Sequence, residues 1–254
     1  MDNNIIQNIK QSFIGYFDSS QSKKIEDLFD NIIIILWKND KGKITYTFDN
    51  KETQQSDLLK KYLKDNWNNI IAEGLEGFSL PNAESPTIFA NSESDTLIAV
   101  LIHEILHLLL NEKLNTSHLV EHDFLSELII EYATQKILII YNDMFNQKNT
   151  QYSTYLQLDE LLGFPIRKIY KQLENVIKND TTTINQFVNI VDRMTISTYF
   201  QDLLDKALSD DEKKSFIEQY KEYINEYSIE LNKTAENIIR NCLDCQEKNK
   251  SHSK

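Results

Sequence analysis

Between Leu97 and Leu110 the chain is apolar at nearly every position, and the exceptions are His103, Glu104 and His107. A run of this length without Gly, Pro or strict alternation reads as a helix. One that is hydrophobic around its whole circumference reads as a buried helix. Ionisable groups in such a setting are costly unless they have a partner. Residues four apart lie one above the other on a helix, so both imidazoles point the same way and can reach one metal ion. Zn²⁺, bound by imidazole nitrogen at about 2.0–2.1 Å, suits that pair. Glu104 follows the first histidine and can take a proton from an attacking water.

A catalytic zinc site needs three protein ligands and one open position, so a third ligand must come from elsewhere. Nineteen residues separate His107 from Glu127, and Glu131 follows one helical turn later. One of these carboxylates can bind metal while the other accepts a hydrogen bond from the outer nitrogen of a ligating histidine. His122 is a weaker candidate. It lies about 140° around the same helix from Glu127, so the two cannot share a target, and it reads as a surface residue.

H-E-x-x-H, the nineteen-residue gap and E-x-x-x-E together resemble the gluzincin zinc metallopeptidases, with spacing like that of the thermolysin group. The resemblance covers residues 93–134. It implies a zincin fold and one Zn²⁺ per chain on His103, His107 and Glu127. It further implies Glu104 as the catalytic base and Glu131 as the carboxylate behind His103. The thermolysin group carries Asp where this chain has Glu131, and Asn where it has Ser126. No segment matches that group's later catalytic histidine or the G-x-M-E-N signature of the aminopeptidase relatives. Peptidases of this clan also need a donor for the developing oxyanion, for which Tyr199 and Arg193 are candidates. Two alternatives stay open: a non-catalytic zinc-binding regulatory or scaffold protein on a zincin fold, and an intracellular peptidase that cleaves repressors.

The rest of the sequence narrows the partners. A net charge of −12 with no offsetting basic patch argues against nucleic acid, and the resemblance implies a peptide or protein substrate. No apolar run approaches the 18 or so residues of a membrane span. Met1–Lys10 has no basic-then-apolar signal region, and Cys242 and Cys245 make no disulfide framework. The expectation is a cytoplasmic hydrolase, with secretion by a route lacking a signal peptide left open. A lone C-x-x-C on a terminal helix reads as incidental.

The fold class expected is α+β, a zincin-like N-terminal lobe with a small mixed sheet followed by an all-α C-terminal lobe. Helices are expected at 4–17 and 22–30. Asn31–Trp37 is β-branched and apolar, as befits a central strand. Ile44, Tyr46 and Phe48 alternate with polar residues after the Asn39–Gly42 turn, which makes a hairpin with one buried face. A helix is expected over 54–72, a loop over 74–86, and a third strand at Thr87–Ala90. As in zincins, that strand would form the upper edge of a substrate cleft. Ser92 or Ser94 would cap the metal-binding helix. Asn111–Ser117 would connect it to a helix over 117–145 carrying Glu127 and Glu131. Domain limits fall at 1–146 and 147–248, with helices at 158–178, 182–208, 211–225 and 228–246 and a frayed tail at 249–254.

Overall fold

The computed structural model describes residues 3–40, 43–53, 56–57, 59–61, 76–80, 85–114, 120–149, 165–179 and 202–219. Its elements run α1 (Asn3–Tyr16), a short 3-10 turn (Ser19–Gln21), α2 (Ser22–Asn31), β1 (Ile33–Asp40), β2 (Lys43–Asp49), β3 (Gly77–Leu80), β4 (Thr87–Asn91), α3 (Leu97–Leu114), α4 (Val120–Phe145) and α5 (Ile166–Asn179). Residues 202–207 and 210–219 are also helical. This is a mixed α+β structure.

Four strands form one sheet in the order β2-β1-β4-β3. β1 pairs antiparallel with β2 and parallel with β4, and β3 pairs antiparallel with β4. The sheet is therefore mixed, and β1 is interior as its apolar run requires. Ile33, Ile34, Ile35 and Leu36 are all at most 1% exposed, so both faces of this strand are covered. In β2 the expected alternation holds: Ile44 is buried while Thr45 and Thr47 are exposed.

The segment 74–86 departs from expectation, because Gly77–Leu80 is a strand. As a result Thr87–Asn91 is the fourth strand and is paired on both sides, so it cannot offer an edge to a substrate. The edge beside it belongs to β3. Asn91 N–H donates to Glu76 O at 2.8 Å. With the register Gly77↔Ala90, Phe78↔Phe89, Ser79↔Ile88, antiparallel alternation turns the backbone groups of Phe78 toward β4 and those of Gly77 and Ser79 outward.

Gly77 is required by packing. A Cβ there would meet Val100 Cγ1 of α3 at 2.5 Å and Phe89 O of β4 at 3.2 Å. The absent side chain is what lets α3 lie against the β3–β4 corner. Ala99, Leu101, Ile102, Ile105 and Leu106 of α3 are fully buried, which answers the apolar circumference of that segment. They share a core with Ile9 and Phe13 of α1, Ile34 of β1, Ile88 of β4 and Ile130, Ala133 and Ile137 of α4.

One helix boundary is narrowed and another differs. Ser94, not Ser92, marks the entry to α3: its hydroxyl accepts from Thr96 N–H at 3.1 Å, and its carbonyl accepts from Leu97 N–H at 3.2 Å. At the other end the helix continues to Leu114, so the polar residues from Asn111 onward extend it instead of breaking it. The expected helix over 54–72 is described only in part, with 56–57 and 59–61 helical. That expected over 228–246 lies outside the described residues.

Candidate metal centre

Three side chains from two helices converge on one point. His103 and His107 project from α3 one turn apart, with ring centroids 4.8 Å from each other. Their Nε2 atoms lie 3.1 Å apart. Glu127, two turns into α4, brings Oε2 to 3.3 Å from each of those nitrogens. Three potential ligand atoms thus make a nearly equilateral triangle, and the group can hold a metal ion.

The size of the triangle tests the fit. Four ligands about 2.0–2.1 Å from a central ion, at tetrahedral angles, stand about 3.3–3.4 Å from one another. The observed 3.1, 3.3 and 3.3 Å edges approximate one face of such a tetrahedron. The fourth corner would be the open position. Both histidines use Nε2, which leaves Nδ1 of each ring for an outer partner.

Burial and charge agree with this. His103 is 5% exposed on a helix otherwise lined with aliphatic side chains, whereas His107 and Glu127 are partly open to solvent. Burial alone would push the His107 imidazolium toward deprotonation. The charge and hydrogen bond of Glu127 outweigh it, with a contribution from Glu104, and the pKa is raised to about 9. Burial likewise works to raise the Glu127 carboxyl, but the two histidines overcome it and hold it well below the usual carboxylate range. The triad is thus a site of negative potential that retains a cation, here a proton.

Glu104 is half-buried on α3 next to His103, and its charge is felt at His107. It is not one of the three converging ligands. Glu131 lies one turn after Glu127 and is fully buried. The expected hydrogen bond behind His103 is not made, because His103 Nδ1 has no hydrogen-bond contact with Glu131. The candidates Tyr199 and Arg193 lie outside the described residues, as do His122, Cys242 and Cys245.

No protein-family model, curated protein or solved structure matches the chain. What the chain can do is therefore read from the chemistry of the site.

Sequence reading missed two features around it. One is the outward edge of β3, whose strand character depends on its pairing with β4. The other is Tyr170 of α5, which packs against Tyr132 of α4 with ring centroids 5.7 Å apart. Burial raises the Tyr170 phenol above its ordinary range, and the charges of Glu174, Glu131 and Tyr132 push it further. No local motif marks Tyr170, since its place beside Glu131 comes from the packing of α5 on α4.

Proposed function

We propose that the protein is a zinc-dependent metallopeptidase with His103, His107 and Glu127 as ligands and Glu104 as general base. The observation that carries this reading is the triangle of ligand atoms, sized for tetrahedral coordination and accompanied by a carboxylate at the second position of H-E-x-x-H. Nitrogen and carboxylate donors in that count suit Zn²⁺. When bound, zinc supplies a Lewis acid that polarises a carbonyl and lowers the pKa of water toward roughly 7.

The chain's own residues do the rest. Glu104 accepts the proton of the attacking water and returns it to the leaving amine. Glu131, buried one turn beyond Glu127, is the carboxylate assigned to orient the His103 ring on metal binding. An extended peptide pairs with the outward N–H and C=O groups of Gly77 and Ser79 on β3, the open edge next to β4 and α3. Among the described residues nothing else pairs with that edge. A zincin fold accommodates these parts: a mixed sheet, an edge strand beside the metal-binding helix, and a second helix supplying the third ligand.

The test combines metal analysis of the purified chain with cleavage of a proteome-derived peptide library. About one zinc per chain and cleavage abolished by Glu104→Gln are expected. Stoichiometric zinc with no cleavage across the library would instead favour a binding or scaffold protein.

A further inference from the structure

One carboxylate stands where the open edge of β3 meets the start of α3. Glu76 immediately precedes β3, and its backbone carbonyl accepts from Asn91 N–H at 2.8 Å. That inward bond leaves the backbone groups of the next residue, Gly77, facing outward. The Glu76 side chain reaches α3, where Oε2 accepts from the Thr96 hydroxyl at 2.8 Å. An ionised carboxylate only accepts, so Thr96 is the donor there. The Thr96 oxygen must then accept in its 2.9 Å contact with the Ser94 hydroxyl. A chain of hydrogen bonds from Ser94 through Thr96 thus fixes the direction of the Glu76 carboxylate.

The entry to α3 does not need this carboxylate as a cap. Ser94 already accepts from Thr96 N–H through its hydroxyl and from Leu97 N–H through its carbonyl. Glu76 is half-buried. Among the described residues its other oxygen, Oε1, takes no hydrogen bond, and no Lys or Arg pairs with it. An oriented carboxylate with one oxygen uncommitted is an acceptor for an ammonium or guanidinium group. The net charge of −12 favours the approach of a cationic partner over an anionic one.

Its distance from the metal centre sets which substrate residue it can meet. His103 follows Thr96 by seven residues on the same helix. At about 1.5 Å per residue, the centre lies on the order of 10 Å along α3. An extended peptide advances about 3.3 Å per residue, so about three residues cover the interval.

We propose that Glu76 is a specificity residue of the β3 edge, binding a Lys or Arg side chain of the substrate about three residues from the bond cleaved at the metal. The inference rests on the peptidase reading, with the peptide paired on β3, and it names the substrate class as basic peptides.

Digestion of a proteome-derived peptide library by zinc-loaded wild type reads the preference directly. Lys and Arg should be enriched about two to four residues from the cut, on one side of it. Cleavage with no basic preference there would overturn the inference and leave the peptidase reading standing. No cleavage at all would remove both. Glu76→Gln then separates charge from structure, because its amide oxygen can still accept from Thr96. On a cleaved peptide carrying Lys at the preferred position, kcat/KM should fall about fivefold, through KM, as befits one accessible ion pair. With Ala in place of that Lys, wild type and variant should cleave alike, and zinc content and melting temperature should not change. Equal losses on the Lys and Ala peptides would make Glu76 a structural residue only. The library result needs no variant, so it decides the preference even if Glu76→Gln does not fold.

Discussion

His107 Nε2 and Glu127 Oε2 stand 3.3 Å apart across the α3–α4 interface, and each reverses the effect of burial on the other. Without a metal the pair is an imidazolium facing a carboxylate. With a metal the proton must leave.

Protein stripped of metal by a chelator should therefore show a distinctive pH profile. The His107 pKa rises from 6.5 to about 9 on folding, so its stabilising contribution is complete below 6.5 and is lost as pH climbs through about 9. The Glu127 carboxyl is depressed below 4.5, so its contribution is present above that value and is lost as pH falls below it. Melting temperature should peak between those limits and decline from pH 6.5 to 9. His107→Gln should flatten the alkaline decline. A rising or level profile in wild type would contradict the pairing.

Replacing one ligand should separate metal binding from folding. His107→Ala should lose the bound zinc, read by metal analysis after gel filtration, while the far-ultraviolet circular dichroism spectrum stays that of wild type. A variant that retains one zinc per chain would move the site elsewhere.

Glu104→Gln should keep its zinc and lose turnover by about 10²–10⁴-fold, the range that general-base catalysis supplies. The comparison is made on a peptide first found to be cleaved by wild type. Equal rates would exclude Glu104 as the base.

Proline at the open edge tests how substrate is held. Ser79→Pro removes an outward N–H while leaving the pairing of Phe78 with Phe89 available, and proline is tolerated on edge strands. Loss of one hydrogen bond should lower kcat/KM about three- to tenfold, mainly through KM, with zinc content unchanged. No change in KM would take the peptide off β3.

Gly77→Ala should destabilise the fold by about 1–3 kcal/mol in denaturant unfolding, as overpacking does. The cause is the contact its Cβ would make with Val100 Cγ1 and Phe89 O. A variant as stable as wild type would mean that α3 can shift outward at little cost.

The helices and strands easiest to read in the sequence were those with strong local patterns. The apolar segment around His103 announced a buried helix, and Ile33–Leu36 announced a covered strand. β3 was harder. Gly77-Phe78-Ser79-Leu80 is short, contains a glycine and is followed by Pro81, so its local preferences favour a loop. What makes it a strand is hydrogen bonding to β4, which follows it in the chain. The end of α3 misled for a related reason: Asn111, Glu112 and Lys113 are polar, but polarity alone does not terminate a helix lacking Gly or Pro. At the site, spacing identified His103, His107 and Glu127 because helix geometry converts sequence distance into direction. Tyr132 and Tyr170 meet from two helices, and no spacing rule relates them.

β4 is sealed in the sheet on both sides and leads into α3 through only Ser92–Thr96, and α3 is packed into the same core. The two histidines thus ride on a part of the molecule that opens only when the whole core opens. Small zinc domains fold around their ion, whereas here the two histidines stand on a helix packed into the apolar core. A chelator should accordingly strip the metal from a standing scaffold, and the ion should re-enter without a refolding step.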